Sequence, residues 1–423
     1  MSATTAPTNL AEVRTPAEIR RSRIIGIIYL LLAGFVLFVF AVGTEGDSTF
    51  GLARAGDRFE NFPDLVLPSA GLGYVTAAVL AFFGGIQLTR GFGKRSTLVL
   101  GIGLMLFIFA FLGWAAAGKE FSLVGMLQLS VTKSVPITVG ALSGVMGERV
   151  AVINIGIEGM LLGGAFMGAL IGSSLGPWVG ILAGMATGGL LALGLAVLAI
   201  RYRVDQIIAG VVINIFALGL TSFLTSQVLV RNPDLNDVRI LAPYKIPLLG
   251  DIPVIGPILF DHNFFVYAMF ALVGVMTFGL FRTRWGLRSR AVGEHPKAAD
   301  TVGIDVFKLR YWNVMLGGLI AGMGGAFFTI GSAGSFDENM SAGRGFIGLA
   351  AMIFGRWHPV GALGAGLVFG FADSLQNKLA ILQTPIPGEF LLMAPYIVTM
   401  IVVAGLVGKA RPPAADGQPY IKE

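Results

Sequence analysis

What most constrains this chain is a succession of apolar runs too long for a soluble core. Ile24 to Val42 is 19 residues without a charge, and roughly 20 such residues cross a bilayer as a helix. Further runs lie at Leu65 to Leu88, Leu98 to Ala117, Leu123 to Met146, Val150 to Leu175, Trp178 to Ile200, Val204 to Val230, Phe264 to Phe281, Tyr311 to Gly331, Val360 to Leu382 and Phe390 to Val407. Phe346 to Phe354 is apolar but too short to cross alone. In lipid a backbone must satisfy its own hydrogen bonds, so each run reads as helix. The expected fold is all-α, a polytopic integral membrane protein with about 10–12 transmembrane or re-entrant helices.

Composition agrees. The 423 residues are 55% hydrophobic and only 13% charged, against about 25% charged in soluble domains. Mean hydropathy is +0.79. The absence of cysteine excludes disulfides, thiolate catalysis and iron-sulfur ligation. His262, His295 and His358 are the only histidines and are far apart, so no metal site and no catalytic constellation is expected. The pI near 9.6 has a simpler use than nucleic-acid binding, because Lys and Arg in short loops set membrane orientation.

The loops sort by that rule. Loop 89–97 carries Arg90, Lys94 and Arg95 with no acid, and loop 282–310 carries Arg282, Arg284, Arg288, Arg290, Lys297, Lys308 and Arg310 against three acids. Both are expected on the cytoplasmic side. Loop 43–64 and loop 231–262 are acid-rich and are expected outside. Residues 1–23 then read as a mobile cytoplasmic tail, 24–408 as the transmembrane domain and 409–423 as a cytoplasmic tail. Both termini inside requires an even number of crossings, which twelve segments satisfy only if Phe346 to Phe354 enters as a broken or re-entrant piece.

Polar residues within the runs are expensive and need a partner or a wet cavity. The candidates for a solute pathway are Lys133, Asn154, Glu158, Asn214, Asn313 and Asp373. Lys133 lies some ten residues into its run and Glu158 eight into the next, which brings the two to similar depths where they can pair. Such a pair either lines a pathway or only fixes helix register, and the asparagines either bind solute hydroxyls or bridge helices. Glycines four apart at Gly168 and Gly172, at Gly180, Gly184 and Gly188, and at Gly318 and Gly322 allow close helix crossing. Intramolecular packing explains them better than a dimer contact. Gly140 to Gly147 and Gly348 to Gly355 form a faint internal echo, each followed by a polar cluster, Glu148-Arg149 and Arg356-Trp357-His358-Pro359. Within loop 282–310, Pro296 suits a first helical position, Lys297 to Val302 gives a short helix and Gly303 caps it.

Four segments, in order, carry a resemblance. They are N-I-G-I-E-G-M at Asn154 to Met160, R-x-R-x-D-Q-I-I-A-G-x-x-x-N at Arg201 to Asn214, A-V-G-E-H-P-K-A-A at Ala291 to Ala299, and Gly343 to Gln376, with R-G-F-I-G-L-A-A-M-I-F-G-R-W-H-P-V-G-A-L and then F-G-F-A-D-S-L-Q. Together the chain, over about residues 65 to 408, resembles membrane permeases of the ribose and branched-chain amino-acid type of ABC importer, and most the nucleoside (simple-sugar) permeases. The resemblance implies inward transport of a nucleoside or related sugar-containing solute by alternating access. It implies a second permease subunit in a heterodimer, an extracytoplasmic substrate-binding lipoprotein, and cytoplasmic ABC ATPases that bind the ATP and Mg. The location implied is the bacterial cytoplasmic membrane, with lipid around the helices. The ATPase would dock on Glu294, His295, Pro296, Lys297, Ala298, Ala299 and Asp300, where His295 replaces the family's usual Asn. Gly93-Lys94 and Gly408-Lys409 lack the rest of a P-loop, so this chain is not expected to be an enzyme or to hold a cofactor itself. The alternative is an ion-coupled secondary transporter using Glu158, Asp373 or Lys133.

Overall fold

A computed structural model of the chain describes residues 16–53, 62–382, 390, 393 and 411–422. Among the described residues nine helices are long and apolar enough to cross a membrane, as the runs require. Residues 1–15 and nearly all of the expected closing span 390–407 lie outside the described residues. The chain divides into two compact units.

The first unit holds α1 (Pro16–Phe35), prolonged by a π-helical turn at Val36–Ala41, α2 (Ser69–Thr89) and α3 (Ser96–Ala115). Because α1 starts at Pro16, Arg20, Arg21 and Arg23 belong to its first turns and not to a mobile tail. Aromatic rings hold these helices: Phe40 lies 5.4 Å from Trp114 and 5.7 Å from Phe111. Ser22 Oγ donates to the Gln87 carbonyl at 2.8 Å, which puts the start of α1 beside the basic loop after α2. Strands β1 (Asp47–Gly51), β2 (Leu65–Pro68) and β3 (Glu120–Ser122) form a small mixed sheet in the order β2-β1-β3. Helix was expected from Leu65, but the segment is extended up to Pro68. Alternation along β1 buries Ser48 and Phe50.

The second unit contains α4 (Leu123–Glu148), α5 (Ile157–Leu175), α6 (Pro177–Ala196), α7 (Gln206–Leu224), α8 (Ile255–Leu259), α9 (Phe264–Arg282), α10 (Arg284–Glu294), α11 (Pro296–Thr301), α12 (Val306–Phe328), α13 (Arg344–Phe354) and α14 (Pro359–Ile381). Strands β4 (Tyr244–Lys245) and β5 (Asp261–His262) pair in the loop between α7 and α9. The core is α5, α6 and α12, locked by the glycines noted above. A Cβ on Gly180 would come within 2.7 Å of Gly172 Cα, and one on Gly184 within 2.8 Å of the Gly164 carbonyl oxygen. Gly188 and Gly318 likewise meet backbone to backbone. With no side chain between them, helices approach to distances that give extensive dispersion contact, the main cohesive force in lipid.

Two runs depart from unbroken helix. Val150 to Gly156 is irregular and α5 begins only at Ile157, so Glu158 stands in the first turn of its helix. Phe346 to Phe354 is the body of the 11-residue α13, a half-helix preceded by the irregular segment 335–343. α14 has the length of a span, but Asp373, Gln376, Asn377 and Lys378 dilute its apolar character.

Candidate pathway and coupling loop

Two clusters of intramembrane polar residues meet at the first turn of α13. In the first, the Glu158 carboxylate accepts from Ser341 Oγ at 2.6 Å, Gly343 N at 2.8 Å and Gly345 N at 2.6 Å. The helix N-terminus leaves N–H groups without intrahelical partners and carries partial positive charge, and Glu158 meets both needs. Gly345 permits the approach, since a Cβ there would sit 2.6 Å from Glu158 N and Cα. Gly159 N donates to Asn214 Oδ1 at 2.8 Å, and Asn214 Nδ2 donates to the Ile155 carbonyl at 2.9 Å. Asn214 thus bridges α7 to the start of α5. Asn154 is fully buried beside them, its Nδ2 directed to Met160 Sδ at 3.6 Å.

The second cluster is Lys133, Arg344 and Asp373. Arg344 Nη2 lies 3.6 Å from Asp373 Oδ2, and its guanidinium stands 5.8 Å from the Phe328 ring centre. Lys133 lies within the electrostatic influence of Arg344 and Asp373. Lys133 and Glu158 therefore do not pair: the late start of α5 turns Glu158 to α13, and the charges that act on Lys133 are those of Arg344 and Asp373. The side chains of this cluster are partly buried, Arg344 and Asp373 being 23% and 13% exposed. Arg344 was absent from the expected pathway set because it precedes the apolar run that begins at Phe346; its place inside the R-G-F-I motif was the available signal. Asn313 belongs to neither cluster. It lies on α12, donating to Ser289 Oγ of α10 at 3.3 Å and to the Leu309 carbonyl at 2.8 Å.

The two echoing glycine segments pack on each other. A Cβ on Gly348 would come within 3.1 Å of Ala141 N and the Ile137 carbonyl oxygen, and one on Gly140 within 3.8 Å of Gly348 Cα. Their polar clusters then interlock. Arg149 Nε and Nη2 donate to the Trp357 carbonyl at 2.9 and 2.7 Å, while Trp357 Nε1 donates to Glu148. Arg356 and Trp357 adopt φ of +54° and +53°, a left-handed pair that this clamp sustains. Phe281 stacks on His358 at 4.5 Å and lies under Arg149 at 5.4 Å and Arg290 at 5.1 Å. Burial and the Arg149 charge both hold the His358 imidazole below its ordinary pKa.

On the same face, α11 forms as the residues dictate. Pro296 opens it, and His295 Nδ1 accepts from Ala298 N at 3.3 Å, taking the capping role an Asn side chain would have. Gly303, at φ +82°, ends it. Ala299 faces inward, whereas Lys297, Ala298, Thr301 and Val302 are exposed. Asp300 is paired with Lys422 at 3.6 Å, and Glu294 Oε2 accepts from Ala414 N at 3.3 Å.

A helical membrane unit with a broken helix, intramembrane charges at the break and a short exposed loop helix defines a multi-pass permease. Residues 126–407 match the model of the branched-chain amino acid transport system / permease component family, and the chain belongs to that family. It is a transport subunit and not an enzyme. It is 46% identical over 310 residues to the guanosine ABC transporter permease protein NupQ of Bacillus subtilis (strain 168), covering 70% of this chain and 96% of that one. It is 39% identical over 319 residues to the nucleoside ABC transporter permease protein NupC of Lactococcus lactis subsp. cremoris (strain MG1363), covering 71% and 99%. It is also 26% identical over 268 residues, 61% and 74%, to the guanosine permease protein NupP of the same Bacillus. Similarity to NupQ and NupP alike supports a paired permease within an ABC system. No solved structure matches the chain.

Proposed function

We propose that this chain is the membrane permease subunit of an ABC importer that carries a nucleoside or related sugar-containing solute across the bacterial cytoplasmic membrane, with both termini in the cytoplasm. The names of the relatives at 46% and 39% identity support the solute class. The observation that carries the site is the partly buried Lys133, Arg344 and Asp373 cluster at the start of a broken helix. Charges left incompletely sealed within the membrane-spanning part are stable only beside a wet cavity. Their donors and acceptor suit the hydroxyls and ring nitrogens of a nucleoside, and Phe328 supplies an adjacent ring face. Glu158, Asn154 and Asn214 position helices around this cluster, and Asn313 ties α12 to α10.

A second permease subunit completes the pathway, and a substrate-binding lipoprotein feeds it from outside. ATP and Mg belong to a separate ATPase that docks on Glu294 to Asp300, with Ala298 and Val302 as its apolar footing. Closure of the ATPases moves α11 and, through α10, tilts α9 and α12, exchanging outward for inward access. The solute biases that exchange only through contacts that differ between the two states.

The test is uptake by the complex copurified from membranes and reconstituted with the binding protein. Nucleoside uptake should require ATP and persist when ion gradients are collapsed, and removal of Lys297 to Val302 should abolish it in a well-expressed protein. Uptake by the chain alone on an ion gradient would restore the secondary-transporter alternative.

A further inference from the structure

The C-terminal segment 411–422 lies beyond the residues matched by the family, and the sequence reads it as a mere polar tail. It is instead laid across the cytoplasmic end of the second unit. Pro413, Ala415 and Tyr420 are buried. Ala415 N donates to the Gly293 carbonyl at 3.0 Å, and Ala414 N to Glu294 at 3.3 Å, both on α10. Lys422 pairs with Asp300 of α11 at 3.6 Å. Tyr420 lies 5.3 Å from the Phe307 ring of α12, and Arg310 Nη1 of α12 donates to the Gln418 carbonyl at 3.2 Å. Gly417, at φ +73°, rests on Ile153 in the turn between α4 and α5. The Asp416 carboxyl lies beside the Glu148 carboxyl at the end of α4 and within the electrostatic reach of Arg310.

One short segment thus touches every element of the loop helix pair and both transmembrane helices beside it. Arg310 is 1% exposed; its Nη1 is satisfied by the Gln418 carbonyl of the segment and Asp416 lies within its electrostatic reach, while its Nε and Nη2 have no hydrogen-bond partner among the described residues. A buried charge stripped of its partner is strongly destabilising, so α12 and the segment are tied energetically as well as sterically.

We propose that residues 411–422 are a transmission strap, which makes α10 and α11 move as one body with the α4–α5 turn and α12, so that ATPase closure reaches the pathway. The proposal rests on the reading of α11 as the ATPase docking helix. Glu148 and Arg149 at the end of α4 clamp Trp357, which follows α13, so displacement of α4 passes directly to the half-helix that carries Arg344.

The test uses the whole complex, with either residues 411–423 removed or Tyr420→Ala. The readouts are ATPase retained on purification and solute imported per ATP hydrolysed. Both variants should keep the ATPase while import per ATP falls roughly tenfold, within the usual range of coupling between sites. Unchanged import per ATP would overturn the strap, and so would loss of the ATPase, which would mark a docking role. If truncation prevents assembly, Tyr420→Ala, which keeps the chain's length, decides. Failure of the docking reading is separate: it would show as full ATPase retention and uptake after Lys297 to Val302 is removed, whatever the strap variants do.

Discussion

The two sides of the first turn of α13 carry the same kind of residue in opposite conditions. On one side Glu158 is held by a hydroxyl and two backbone N–H groups, all within 2.6 to 2.8 Å. On the other, Asp373 meets Arg344 at 3.6 Å, beyond hydrogen-bond reach, and shares Lys133 as a second cation. Each is a carboxylate in the membrane-spanning part, so presence of charge alone does not separate structure from function. Saturation does. A carboxylate whose acceptor sites are filled by fixed donors has nothing left to offer a solute, whereas a loosely matched set of two cations and one anion retains capacity for one.

The largest test of that contrast is Glu158→Ala. It orphans the N–H groups of Gly343 and Gly345 and the Ser341 hydroxyl at a buried helix start, which should cost about 3 kcal/mol or more. It should appear as loss of monodisperse protein on heating in detergent. Glu158→Gln keeps the shape but turns an amide NH₂ toward backbone donors, and should fall between. Next in size is Asp373→Asn, or Arg344→Ala. The pair, at 3.6 Å, makes no full hydrogen bond, so heat stability should fall less than for Glu158→Ala while ATP-driven uptake drops roughly tenfold, the kinetic equivalent of about 1.4 kcal/mol. Equal thermal losses on both sides of α13 would break the comparison.

The legible parts of this fold were those governed by local rules. Apolar length announced the spans, Pro296 and Gly303 bounded α11, and the shortness of Phe346 to Phe354 announced a broken piece. The four-residue glycine spacing announced helix faces, though not that α5, α6 and α12 share them. Failures came where a tertiary partner overrides the run. Val150 to Gly156 is apolar enough for helix, yet its backbone serves other ends: Ile153 N donates to Gln206 Oε1 at 2.7 Å, and the Ile155 carbonyl accepts from Asn214. That late helix start changed the partner of Glu158, and with it the role expected of Lys133. Residues 411–422, rich in Pro and polar groups, carry no periodicity, so nothing local marks Tyr420 or Ala415 as buried.

A third carboxyl extends the contrast and gives the smallest effect. Asp416 has neither the donor set of Glu158 nor a cation at contact, and its Oδ1 finds no hydrogen-bond partner among the described residues. Burial raises it from the ordinary 3.8 to about 6, against the opposing pull of the Glu148 hydrogen bond, the Gly417 N–H and Arg310. Glu148 on α4 and Arg310 on α12 face it directly, and Glu294 on α10 and Arg149 after α4 flank the segment. The docked strap therefore binds more protons than a released one across the interval from about pH 4 to 6. Docking should be tightest at the acid end and weaken as pH rises through that interval. Because the chain has no cysteine, Ala415→Cys gives a unique buried thiol whose modification by an acid-tolerant pyridyl disulfide reports release. Normalised to the unfolded chain at each pH, its rate should climb between about pH 4 and 6, and Asp416→Asn should flatten that rise. A slope that survives Asp416→Asn would assign the proton to Glu148 instead, and a flat profile in the parent would mean that the surroundings of Asp416 offset its burial.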